Sequence, residues 1–216
     1  MGIDPNNIEL TQIERTIRTY SDDEALVNLR RQQIAKSAVD IFSQKGYEHT
    51  TLYEIAKACS MAKGTLYHYV GAKQDILYLV IKYIMHEAAD FASAIPSITT
   101  GLSATEGLSI AIRKYFEYVA GHEDIIIFLY RETVNLEAKF RKAVYQLEQK
   151  NATFYEGLIK KGIGTGEFHT EDVAMIAQNI LVLGQMWAFR RWFLRKHCTL
   201  EEYITRQTNV ILKIIS

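Results

Sequence analysis

The sequence predicts an all-α protein in which a small N-terminal three-helix domain precedes a larger helical one. Only two prolines, Pro5 and Pro96, occur in 216 residues, and no alternating Val/Ile/Thr run bounded by turn residues supports a strand. Apolar residues recur instead at helical spacing along most of the chain. Four Ser/Thr residues with Glu three places later stand out: Ser21/Glu24, Thr51/Glu54, Ser103/Glu106 and Thr199/Glu202. In that arrangement the hydroxyl accepts from an orphan N–H of the first turn and the carboxylate reaches back to the cap, so each pair marks a helix start.

Taken in order, residues 1–21 form an N-terminal extension, 22–72 the first domain and 73–216 the second. The extension, Met1 to Tyr20, carries Ile8, Ile13 and Ile17 at spacings that fit either a weakly amphipathic helix or a disordered arm. From 22 to 45, Leu26, Ile34, Ala38, Ile41 and Phe42 outline the first helix, which Gly46 stops. Residues 52–60, with Leu52, Ile55 and Cys59 inward, and 63–69 form two short helices joined by a tight turn. Gly71 then breaks the chain. A long amphipathic helix follows from 73 to 95 through Ile76, Leu77, Val80 and Ile84, with Pro96 as its stop. Further helices are predicted at 104–121, 123–132, 136–162, 171–196 and 200–215, and Gly162 to Gly166 reads as a glycine-rich connection.

Composition narrows the function. With 25 Lys/Arg and 25 Asp/Glu the formal charge is zero, which argues against an indiscriminate polyanion binder. Between Leu29 and Lys73, however, seven Lys/Arg face three Asp/Glu, so this stretch carries +4 and the remainder −4. Such a chain presents one basic end to a polyanion. Cys59 and Cys198 lie far apart without metal-ligand spacing, so no zinc site, disulfide or other cofactor is expected, and a reducing cytoplasm fits. Neither an apolar run long enough for a membrane span nor a secretion signal is read.

Catalytic constellations are wanting. His86-Glu87-Ala88-Ala89-Asp90 has half of the HExxH metalloprotease signature, but Asp90 stands where the second His is needed. Gly162-Ile163-Gly164-Thr165-Gly166 has no strand before it to make a dinucleotide loop. No enzyme is expected, and no metal.

Two short helices joined by a tight turn and braced by a preceding helix can lay the second one in the major groove of DNA. That second helix reads Lys63-Gly64-Thr65-Leu66-Tyr67-His68-Tyr69: Leu66 can anchor it while a cation, a hydroxyl, a phenol and an imidazole face outward. Such groups suit phosphate and base-edge contacts. The run Ala35, Ala38, Ile41-Phe42, Gly46-Tyr47, Thr50-Thr51, Ile55-Ala56, then Lys63-Gly64-Thr65-Leu66-Tyr67, Tyr69 and Lys73, closely resembles the DNA-binding domain of the tetracycline-repressor (TetR) family over roughly residues 29–75.

The resemblance implies a ligand-responsive transcription regulator, a repressor acting as a homodimer on a palindromic double-stranded DNA operator. It further implies that Thr51 caps its helix and reaches a phosphate and that Tyr53 touches backbone or base. Lys63, Gly64 and Thr65 would open the recognition helix, Tyr67 and His68 would face DNA, and Lys73 would meet phosphate. Ala62 stands where Ser is usual, Met61 where a small branched residue is, and Val70 where Phe is.

Beyond residue 75 the resemblance implies a helical ligand-binding and dimerisation domain. Ile176, Ile180, Leu181, Leu183, Val210, Ile211, Ile214 and Ile215 supply an apolar interface, with Gly184 permitting close approach. Tyr115, Tyr118, Phe128, Tyr130, Trp187 and Trp192 are candidate pocket residues for a small-molecule effector, although buried aromatics are more often packing units. The segment around Trp187 to Trp192 resembles family members that respond to acyl-coenzyme A thioesters, in which Arg190, Arg191 and Arg195 would meet phosphates. A drug or aromatic-compound sensor of the same family, and a helical interaction protein that binds no DNA, are the competing readings.

Overall fold

The computed structural model describes residues 17, 19, 23–134 and 136–216, without the side chains of residues 139, 140 and 143. Among them the regular structure is helical: α1 Glu24–Lys45, α2 Leu52–Ala58, α3 Lys63–Tyr67, α4 Lys73–Thr99, α5 Ala104–Gly121, α6 Glu123–Thr133, α7 Ala138–Thr165, α8 Val173–Phe189, α9 Arg191–His197 and α10 Leu200–Ile215.

Three of the four predicted capping boxes are present in full, at Thr51, Ser103 and Thr199. Each contributes on the order of 1 kcal/mol to its helix. Ser21 lies outside the described residues, and α1 starts differently from the Ser21/Glu24 prediction. Asp23 is its N-cap, accepting from the N–H of Leu26 at 2.9 Å, so Glu24 is the first helical residue rather than the third.

Two predicted breaks are not breaks. Pro96 sits inside α4, which continues to Thr99. A proline withdraws one N–H from the ladder, but its carbonyl still accepts, here from the hydroxyls of Thr99 and Thr100 at 3.2 and 2.9 Å. The turn comes at Gly101, where φ is +81°. Likewise α7 runs through Gly162 and Gly164 and ends only before Gly166, where φ is +77°. Gly162 is a packing residue: a Cβ there would stand 2.0 Å from Phe168 Cδ2. Conversely the predicted 171–196 helix is two, α8 and α9, parted at Arg190 (φ −114°, ψ 21°).

The chain forms two compact units, one of Met1–Glu87 with Phe128–Tyr145, the other of Ala88–Ile127 with Gln146–Ser216. Ile76, Val80 and Ile84 on the first half of α4 are buried, and the later segment contributes Phe128, stacked on Phe42 of α1 at 5.9 Å between ring centres.

In the second unit α5 packs against α8 and α10 around Leu108, Ile112, Phe116, Ile180, Trp187 and Ile211. Gly184 allows the approach of α8 to α5, since a Cβ would lie 2.5 Å from the Tyr115 ring. This corrects part of the predicted dimer face. Ile176, Ile180, Leu181, Ile211 and Ile215 are buried in their own subunit, and the apolar side chains left exposed on α8 and α10 are Met175, Val182, Val210 and Ile214. No helix among the described residues is long and apolar enough to cross a membrane.

Candidate DNA-binding and effector sites

The first unit builds a helix-turn-helix by local chemistry. At the end of α1, Gly46 takes φ +85°, its N–H donates to the carbonyl of Phe42, and its own carbonyl accepts from the buried hydroxyl of Thr50 at 2.9 Å. The chain is thus aimed into the Thr51 cap of α2. There the Thr51 hydroxyl accepts from the N–H of Glu54, and the Glu54 carboxylate accepts from the N–H of Thr51. Lys45 pairs with the same carboxylate; that contact first, and the Thr51 N–H second, hold Glu54 down at about 2. Between α2 and α3 the chain turns at Ser60 (φ 56°), and Gln33 of α1 donates to the carbonyl of Cys59 at 2.9 Å. Ile55, Ala56, Cys59 and Leu66 close the interior beneath the turn.

What remains outside is the predicted face. Thr51, Tyr53, Lys63, Gly64, Thr65, Tyr67 and His68 are all exposed, Tyr53 at 66%. The Lys63 ammonium lies 6.0 Å from the centre of the Tyr67 ring. Among the described residues, no atom beyond the neighbouring residues and the helix's own backbone lies within 4 Å of where a Gly64 Cβ would be, so none of them requires glycine there. Lys73 differs: it is half-buried, donates to the carbonyl of Glu48 at 3.0 Å and sits 4.4 Å from the centre of the Tyr47 ring.

The candidate effector residues do not form one cluster. Tyr115 is buried and donates to the carbonyl of Leu181 at 3.3 Å, while Trp187 packs on Tyr203 at 5.3 Å between ring centres. Tyr118 is half-buried between Phe91 and His122, each 4.3 Å away. Phe128 belongs to the first unit and is fully buried, stacked on Phe42. Tyr130 and Trp192 are exposed, with Arg190 5.1 Å from the Trp192 ring centre. Arg191 is held by Asp124 at 2.7 Å and Glu123 at 3.5 Å, and Arg195 by Glu123 at 2.7 Å, so both guanidiniums are already paired with acids.

Sequence reasoning missed Tyr155, whose buried hydroxyl donates to the carbonyl of Ala111 at 3.1 Å close to Tyr115. Burial pushes both phenols up, so they act as neutral donors. It also missed Arg31, Gln33 and Asp75, which tie the helix-turn-helix together; only Asp75, an acid in the third position of α4, left a local signal.

A five-residue helix with a polar outer face, seated by Leu66 on two supporting helices and followed by a larger helical unit, defines a DNA-binding transcription regulator of the helix-turn-helix class. Comparison with known proteins makes the family plain. The pattern of bacterial regulatory proteins of the tetR family matches residues 34–78, and that of the tetracyclin repressor-like C-terminal domain matches residues 101–213. The chain belongs to the TetR family. It is 28% identical over 190 residues, 88% of its own length and 82% of the relative's, to the HTH-type transcriptional regulator HbdR of Aromatoleum sp. (strain CIB). Its fold matches AibR, solved with isovaleryl coenzyme A and operator DNA, at a TM-score of 0.69 with 23% identity, covering 84% of this chain and 97% of that one. It also matches FadR from Bacillus subtilis, solved with stearoyl-CoA, at a TM-score of 0.64 with 23% identity, covering 84% and 95%.

Proposed function

We propose that this protein is a ligand-responsive repressor that binds a near-palindromic operator as a homodimer and is released by a small apolar effector carried as a coenzyme A thioester. The observation that carries the DNA reading is the outward face of α2 and α3: seven exposed residues, Thr51, Tyr53, Lys63, Gly64, Thr65, Tyr67 and His68, above an interior sealed by Ile55 and Leu66. In this reading Lys63 and Thr51 meet phosphate, Tyr67 and His68 reach base edges, and Gly64 leaves room for the sugar-phosphate backbone. Lys73 would reach phosphate only by leaving the carbonyl of Glu48.

Two recognition helices related by a two-fold axis suit half-sites about 34–36 Å apart. The dimer reading rests on Met175, Val182, Val210 and Ile214, each about half exposed; the last three, with Ile176, Leu183, Ile211 and the polar Asn179, line a groove of about 250 Å³ on α8 and α10. An apolar patch of this kind marks an interaction surface.

For the effector, support comes from the acyl-coenzyme A ligands of the two structural relatives and from chemistry in the second unit. In the second unit the rings of Tyr115 and Tyr155, 6.1 Å apart between centres, and of Tyr118 on the same helix as Tyr115 would be the aromatic neighbours of an acyl chain. Around α9 the exposed Arg190, Lys196 and Trp192 offer cations and a stacking surface to a nucleotide-phosphate end. Coupling is proposed to run along α4, which starts directly after the recognition helix. A hundredfold loss of operator affinity requires the effector to prefer the released state by about 2.7 kcal/mol.

The test is selection of binding sites from genomic fragments by the purified protein at two salt concentrations, repeated with isovaleryl- and stearoyl-coenzyme A, an aromatic acid and no ligand. Selection of a near-palindromic site, salt-sensitive and weakened by a thioester, supports the reading. Release by the aromatic acid alone would replace the effector class, and absence of any selected site would favour the interaction-protein reading.

A further inference from the structure

The recognition helix is too short to hold itself. α3 has five residues, and a single turn of helix is unstable without outside contacts. Within its own segment the carbonyl of Thr65 accepts from the N–H of His68, and that of Leu66 from the N–H groups of Tyr69 and Val70. Two carbonyls just beyond, of His68 and Tyr69, are claimed from elsewhere. The hydroxyl of Thr19 donates to the carbonyl of His68 at 3.2 Å. The Arg31 Nε–H donates to the carbonyl of Tyr69 at 3.1 Å, while its Nη2 donates to the carbonyl of Ile17 at 2.8 Å.

Arg31 therefore bridges two strangers in sequence, the end of the recognition helix and the segment preceding α1. Ile17 is itself buried, at 8% exposure, so its carbonyl is held inside the first unit. The other side of the junction is fixed by Asp75, buried in the first turn of α4, whose carboxylate accepts from the N–H groups of Gly71 and Ala72 at 2.8 and 2.9 Å. Arg31 is partly desolvated, which lowers its pKa, and the Asp75 carboxylate opposes that shift. Between them, Arg31 and Asp75 satisfy the backbone on both sides of the bend from α3 into α4.

We propose that Arg31, with Ile17 and Thr19, forms a clamp that sets the position of the recognition helix. Ile17 and Thr19 are then working parts of the DNA-binding head, and Arg31 is a positioning residue for operator selection. This rests on the DNA-binding reading above. A guanidinium directed at two carbonyls inside the head does not neutralise phosphate, so the clamp acts on specificity and leaves the electrostatic part of DNA affinity alone.

The full-length protein and its Arg31→Met, Arg31→Lys and Thr19→Val variants would be measured against the selected operator and an unrelated duplex over a range of salt. Loss of the bridging hydrogen bonds in Arg31→Met should lower operator affinity roughly tenfold to a hundredfold, with affinity for the unrelated duplex and the salt slope unchanged. Arg31→Lys, which keeps the charge but cannot bridge both carbonyls, should remain impaired, and Thr19→Val should lose a smaller factor. Equal losses on both duplexes with a shallower salt slope would make Arg31 a phosphate contact and overturn the clamp. Hydrogen exchange of residues 63–70 in the free protein supplies a readout that needs no operator. Faster exchange there in Arg31→Met and Thr19→Val, with α5 and α10 unaffected, supports the clamp, and unchanged exchange in Thr19→Val together with wild-type operator affinity overturns it. Failure of the unmodified protein to select any operator bears on the DNA-binding reading, while the exchange result still decides the clamp.

Discussion

Two glycines of α7, two residues apart in one helix, should respond to alanine in opposite directions. At Gly162 an added Cβ would lie 2.0, 2.4 and 2.7 Å from Cδ2, Cε2 and Cγ of Phe168. The Cγ contact is near the root of the ring, so rotation about the Cβ–Cγ bond cannot relieve it, and the whole side chain must leave. Phe168 is only 1% exposed, and its removal forfeits about 1.5–3 kcal/mol of burial. The N–H groups of Glu167 and Phe168, which both donate to the carbonyl of Gly162, are strained with it. Against this stands the better helix propensity of alanine, about 1 kcal/mol. Gly162→Ala should therefore destabilise by roughly 2 kcal/mol, a fall in Tm of about 4–8 °C for a chain of this length. No atom lies within 4 Å of a Cβ at Gly164, so Gly164→Ala keeps the propensity gain and should stabilise by about 0.5–1 kcal/mol. Thermal unfolding followed by circular dichroism reads both. If the two variants shift with the same sign, the ring-on-glycine packing is wrong.

Gly64→Ala, on α3, also adds a Cβ that meets no described neighbour; thermal stability should rise by a few tenths of a kcal/mol while operator affinity falls, because the proposed complex puts DNA in that space. A variant that binds operator as tightly as the unmodified protein would remove Gly64 from the interface. Glu167 accepts from the N–H groups of Thr105 and Ala104, which hold its carboxyl at about 2, below the ordinary 4.5. A carboxylate with a depressed folded-state value contributes stability that is present above pH 4.5 and lost as pH falls toward 2. Glu167→Gln should therefore show a shallower loss of Tm over that window than the unmodified protein, and parallel curves would show that the cross-helix cap contributes nothing. The hydroxyl of Thr208, buried in α10, has no hydrogen-bond partner among the described residues, so the isosteric Thr208→Val should stabilise by about 1 kcal/mol in urea unfolding. A loss of stability there would mean that the hydroxyl is satisfied in solution.

The helices were legible because their signals are local. Thr51, Ser103 and Thr199 each carry their Glu three residues on, and the hydrogen bonds that cap a helix are made within that span. The recognition face was legible for the same reason. In so short a helix, once Leu66 turns inward, Lys63, Thr65 and Tyr67 must turn out. Local signals also misled where a residue's role lies across the fold. Pro96 and Gly162 read as breaks, yet a proline in a last turn costs one hydrogen bond, and Gly162 is small to admit a ring that the chain brings back six residues later.

By itself the amino-acid pattern determined an all-α chain, the helix-turn-helix and its outward side chains, since each depends on neighbours within a turn or two. Tertiary structure alone decided the rest. It chose which apolar stripe of α8 and α10 stays exposed, committing Ile180 and Ile211 to the interior and leaving Val182 and Ile214 outside. It gave Phe128 to α1, and it paired Arg191 and Arg195 with Glu123, 68 and 72 residues away, before any ligand could claim them. It also placed Arg31 between Ile17 and Tyr69. A helix repeat says that one face is apolar, but which neighbour that face meets, and which charge a long side chain finds, depends on how separate helices come together.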